Sequence, residues 1–113
     1  MSEQNIEEQV LAFFRDELSH PLDDDFKPVT LEMDTVLQNY AEPDEFPYAI
    51  DKYDEAFGVD VSAINMAHYY PWENLSRLTR WFKAKRDEVE KTRKPLTVKM
   101  FAESAKAGRW LYD

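Results

Sequence analysis

The chain has no cysteine, which excludes disulfides and thiolate metal sites and suits a reducing compartment. Its 113 residues hold two glycines and six prolines, too few turn formers for a sheet protein built from many tight hairpins. No apolar run approaches the ~20 residues that a bilayer-spanning helix needs. The opening MSEQNIEEQV lacks the basic and apolar regions of a signal peptide. A cytoplasmic single domain, residues 1–113, is expected, with no membrane contact and a modest core.

Basic residues are scarce in one half of the chain. Residues 1–60 hold 17 Asp or Glu against Arg15, Lys27 and Lys52, a balance of -14. Residues 61–113 hold 11 Lys or Arg against six acids, a balance of +5. An acidic first half disfavours nucleic acid as a partner, because phosphate neutralisation supplies most of that affinity. It suits a basic protein surface, or simple solvation. The basic stretch from Arg77 to Lys94 is interrupted by Asp87, Glu88 and Glu90. It reads as a solvated helix face, with a partner-binding face as the alternative.

Helical periodicity dominates, and an all-α fold is expected. Ile6, Val10, Phe13, Phe14 and Leu18 recur at helical spacing, with Asn5 and Glu8 as a capping pair and Pro21 beyond the end. Residues 19–45 form a long connection anchored by Val29, Leu31, Val36 and Leu37. A second helix starts near Pro47, buries Ala49, Ile50, Tyr53 and Phe57, and closes at Gly58 with a left-handed cap. A short third helix is expected over residues 62–67, with Ser62 as its cap. An aromatic break, Tyr69-Tyr70-Pro71-Trp72, precedes a longer helix over residues 73–90 that turns Leu75, Leu78, Phe82 and Val89 inward. After Lys94-Pro95, Thr97 caps a last helix that stops at Gly108, and Trp110 and Leu111 fold back onto the core.

Catalytic chemistry has no foothold. His20 and His68 are isolated and lack metal-ligand spacing. Asp23-Asp24-Asp25 has neither the glycine nor the distal glutamate of a calcium loop. There is no Gly-rich phosphate loop and no nucleophile-base set. The chain is expected to be non-enzymatic, with no cofactor and no metal.

Residues 37–61, LQNYAEPDEFPYAIDKYDEAFGVDV, resemble the second-helix region of acyl carrier proteins. That likeness implies a carrier-like bundle of four helices, one short, over residues 5–86, with an additional C-terminal helix in a 95–113 extension. Carriers place an Asp-Ser-Leu triplet at the start of this helix, and its serine holds the phosphopantetheine arm. Here the equivalent is Glu42-Pro43-Asp44, which has no hydroxyl. Ser62, in Asp60-Val61-Ser62, falls after the helix.

Pro95-Leu96-Thr97-Val98, Met100 and Gly108-Arg109-Trp110, together with Tyr69-Tyr70 and Glu73, resemble a family of short bacterial proteins called domain of unknown function 1493. Tyr69-Tyr70-Pro71 also resembles a triplet in immunity proteins that inhibit toxin nucleases.

Carriers show acids on the second helix to basic patches of their enzymes. The leading expectation is therefore an interaction module meeting a basic protein partner through Asp44, Glu45, Asp51, Asp54 and Glu55. Tyr69, Tyr70 and Trp72 fit either a second contact patch or the core. An atypical acyl or peptidyl carrier and an immunity-type inhibitor are the alternatives.

Overall fold

The computed structural model describes residues 5–42, 44–72 and 86–112. Six helices and no sheet are found among them, so the fold is all-α: α1 (Ile6–Glu17), α2 (Leu37–Tyr40), α3 (Phe46–Phe57), α4 (Met66–Tyr69), α5 (Arg86–Glu90) and α6 (Val98–Ala107).

Helix α1 begins where Asn5 Oδ1 accepts the Glu8 N–H at 2.8 Å, satisfying a donor that the first turn leaves orphaned. Glu7 and Glu8 lie favourably at the positive end of the helix dipole. Val10 and Phe14, four residues apart, bury one stripe, and Leu18 continues it. Leu18 is extended and ends the helix.

Helix α3 carries Pro47 in its first turn, where a missing N–H costs nothing. It buries Phe46, Ala49, Ile50 and Tyr53 and ends at Gly58, whose φ of +69° glycine adopts without strain. Helix α6 starts at Thr97, whose side chain accepts from the Met100 N–H, and ends at Gly108 with φ +77°.

The aromatic centre lies among α1, α3 and α6. Phe101 of α6 meets Phe14 at 5.0 Å, Tyr53 at 4.9 Å and Trp110 at 5.1 Å between ring centroids. The Tyr53 hydroxyl donates to the Phe101 carbonyl at 2.6 Å, so the buried phenol is satisfied. Burial pushes the Tyr53 phenol well above its ordinary range. Helix α6 packs chiefly on α1. The segment expected to be a C-terminal extension thus supplies the middle of the core.

Long-range hydrogen bonds fasten the connection between α1 and α3. Arg15 donates twice to the Leu31 carbonyl, at 2.8 and 3.0 Å, and holds that strap while Leu31 is buried. Helix α2 lies inside the connection and was not anticipated. It is held from outside: Leu37 N–H donates to the Leu96 carbonyl, and Gln38 binds Leu96 N–H, the Lys94 carbonyl and the Tyr69 carbonyl.

Four other expectations need correction. Residues 62–67 do not form one helix. Val61–Ala63 is a 3-10 turn, Ile64 is extended, and α4 begins at Met66. Asp60, rather than Ser62, caps that turn, accepting the Ser62 N–H at 3.0 Å. Val29 is exposed: its backbone is held by the Pro21 carbonyl and the Tyr40 hydroxyl, while Leu31 and Leu37 supply the buried side chains of the connection. Trp110 folds back onto Phe101 and Tyr69, whereas Leu111 stays exposed. Of the expected long helix, residues 73–85, including Leu75, Leu78 and Phe82, lie outside the described residues. Arg86–Glu90 is helical, with Val89 half-buried.

Candidate protein-contact face

Burial fixes one side of α3 and leaves the other outward. Tyr48, Asp51 and Glu55 follow one another at helical spacing on the outer side, and all three are exposed, Tyr48 by 72%. Asp44, in the turn leading into the helix, is exposed as well. Lys52 is the cation on α3, and its Nζ reaches across to Glu17 of α1 at 3.1 Å. Arg15, another of the three cations in the first 60 residues, lies 3.6 Å from Glu32. The face therefore combines an uncovered aromatic ring with Asp44, Asp51 and Glu55, none of which forms an ion pair among the described residues.

The expected site residues divide by what they touch. Asp44, Asp51 and Glu55 point to solvent. Glu45 does not: its Oε1 accepts from Ser19 N–H at 2.8 Å and Ser19 Oγ–H at 2.9 Å, tying the end of α1 to the start of α3. Asp54 Oδ2 accepts the Val61 N–H at 3.2 Å and helps close the turn after Gly58. Tyr69 is buried against Trp110 and belongs to the core, which removes it from any contact patch. Tyr70 is half-buried beside Phe46, and Trp72 is half-buried with the Arg86 guanidinium 5.7 Å from its ring.

Tyr48 was missed. The signal was present, since it sits off the 49-50-53-57 apolar stripe and in phase with Asp51 and Glu55. In the stretch expected to correspond to a carrier's attachment site, Glu42 is exposed, its carbonyl accepting from Phe46 N–H, and Pro43 lies outside the described residues. Ser62 Oγ–H donates to Asp60 at 2.6 Å. That hydrogen bond, then the Ser62 backbone N–H, holds the Asp60 carboxyl below the usual range.

A cleft of about 540 Å³ opens on the other flank of α3, walled by Phe46, Ile50, Met66 and Tyr70 and edged by Arg86, Glu90 and Arg93. Much of its polar lining is already engaged. Gln38 serves three backbone groups, Arg93 donates to Asn39 Oδ1 at 2.9 Å, and Arg86 covers Trp72. No nucleophile and base converge there among the described residues.

His20 Nδ1 lies 3.2 Å from the Tyr40 hydroxyl, and His68 Nε2 lies 3.3 Å from Asn65 Nδ2. Among the described residues no group of three His, Cys, Asp or Glu is placed to hold a metal ion, and no helix is long and apolar enough to cross a membrane. Of the basic stretch, Lys91 and Lys94 are exposed, and Arg77, Arg80, Lys83 and Lys85 lie outside the described residues.

The chain matches no curated protein and no solved structure. One family model, described as a protein of unknown function (DUF1493), matches residues 3–113, and the chain belongs to that family.

Proposed function

We propose that the protein is a non-enzymatic interaction module that docks a basic protein partner on the outer face of α3. One observation carries this reading: Tyr48 stands exposed in line with Asp51 and Glu55, with Asp44 at the helix entrance. Tyrosine is favoured at interface centres because it offers a large rigid area and a polar tip. Acids around it steer a cationic partner and fix its register more than they add affinity.

The likeness of residues 37–61 to carrier proteins supports the same surface. Glu42-Pro43-Asp44 has no hydroxyl to form a phosphodiester, so the proposed module keeps a docking helix and carries no prosthetic arm. Its setting is the cytoplasm.

The test is affinity purification from native cells, comparing wild type with D51K/E55K and with Y48A. A partner with a basic surface is expected to be recovered by the wild type. Its affinity should fall by about tenfold or more in each variant, and more steeply for wild type as salt rises. The same partners retained at the same affinity by both variants would contradict the reading.

A further inference from the structure

The connection after α1 carries a second unusual surface. Between residues 21 and 29 the chain exposes Leu22 (58%), Phe26 (82%) and Val29 (38%), three large apolar side chains in one short turn. The turn is rigidly framed. Leu22 and Pro28 form an isolated antiparallel bridge, Asp23 N–H donates to the Lys27 carbonyl at 2.9 Å, and Val29 N–H donates to the Pro21 carbonyl at 2.8 Å. At the tip, Asp23 Oδ1 accepts from both Asp25 N–H at 2.8 Å and Lys27 N–H at 3.0 Å.

That frame holds Phe26 at φ +62°, in the left-handed region that side chains larger than glycine or asparagine rarely adopt. A turn needing this backbone conformation is ordinarily built with glycine or asparagine. Phenylalanine bears the backbone strain and also leaves its ring in water. The turn's hydrogen bonds, including that of Phe26 N–H to the Asp23 carbonyl at 3.0 Å, hold the backbone there, but no core contact covers the ring. Strain held in place by its surroundings clusters at sites of function, and here it falls on a residue the core does not use.

We propose that residues 21–29 form a docking knuckle that inserts Phe26 into an apolar pocket on a protein partner, with Lys or Arg around the pocket's rim. The apolar centre follows from Phe26, with Leu22 exposed in the same turn. The basic rim follows from charge. Asp23, Asp24 and Asp25 outweigh Lys27, and Asp24 and Asp25 have no ion-pair partner among the described residues. Preorganisation of the tip by Asp23 lowers the ordering cost that a flexible loop would meet on binding. The knuckle does not depend on the α3 face.

The test places a photo-crosslinking benzoylphenylalanine at position 26 of the full chain in the cells that make it. The crosslinked protein is then identified by mass spectrometry and purified. Its affinity is measured for wild type, F26N, D24K/D25K and D51K/E55K. One discrete adduct is expected. Affinity should fall at least tenfold in F26N and severalfold in D24K/D25K, while thermal unfolding of F26N is no lower than wild type. No discrete adduct, an adduct only with another copy of this chain, or an affinity indifferent to F26N would overturn the proposal. Loss in D51K/E55K alone would sink the knuckle; loss in F26N with D51K/E55K unchanged would support it and leave the α3 face to its own test.

Discussion

Phe101 and Phe26 occupy opposite environments in this chain. Phe101 is fully buried and packs against Phe14, Tyr53 and Trp110, at the meeting of α1, α3 and the C-terminal tail. Phe26 stands in water at the tip of a turn held by backbone hydrogen bonds, its own N–H to the Asp23 carbonyl at 3.0 Å among them, and by the Asp23 side chain. The core side of the molecule is organised around interlocking aromatic rings. The loop side is organised around backbone, with its largest side chain left over. Among the described residues three stand at positive φ: Gly58, Gly108 and Phe26. Where the backbone needs only to close a helix, glycine does it. Phenylalanine appears where the side chain is aimed outward.

Substitutions on each side should behave differently. Phe101→Ala should cost about 3–5 kcal/mol, because it removes ring contacts and leaves a cavity that three helices cannot close. Chemical denaturation would show this as a large drop in midpoint, and a loss below 1 kcal/mol would remove Phe101 from the centre of the core. Tyr53→Phe keeps the ring and deletes the hydroxyl that donates to the Phe101 carbonyl. It should cost about 1–2 kcal/mol by the same measurement. Gly108→Ala has open space for its Cβ, so its cost is the backbone strain alone, roughly 1 kcal/mol. A neutral result there would mean that left-handed backbone costs little in this chain, and that Phe26 bears no strain in need of a cause.

Much of the helical framework was legible because local signals and burial agree. Asn5 with Glu8, the 6-10-13-14-18 stripe, Pro47 with Gly58, and Thr97 with Gly108 each place a helix end or face correctly. What was not legible depends on distant partners. Helix α2 is fixed by Leu96, 58 residues beyond Gln38, and no local pattern announces that contact. The break at Ile64 follows from Asp60 capping a tighter turn than the apolar spacing suggests. Glu45 and Asp54 looked like surface acids, but the folded chain brings Ser19 and the Val61 amide to them. Tyr48 was readable from its phase, whereas the backbone of Phe26 was not. Nothing in Asp-Asp-Asp-Phe-Lys signals a left-handed phenylalanine.

The separation between a folding core and an outward-facing loop is tested most directly by thermal unfolding of F26N. Asparagine tolerates the left-handed region, so the substitution relieves strain and removes a ring that contributes no core contact. The unfolding temperature is expected to stay level or to rise by a few degrees, given about 4–8 °C per kcal/mol for a domain near this size. A fall of more than about 4 °C would show that Phe26 supports the fold, and would contradict the assignment of its ring to a partner.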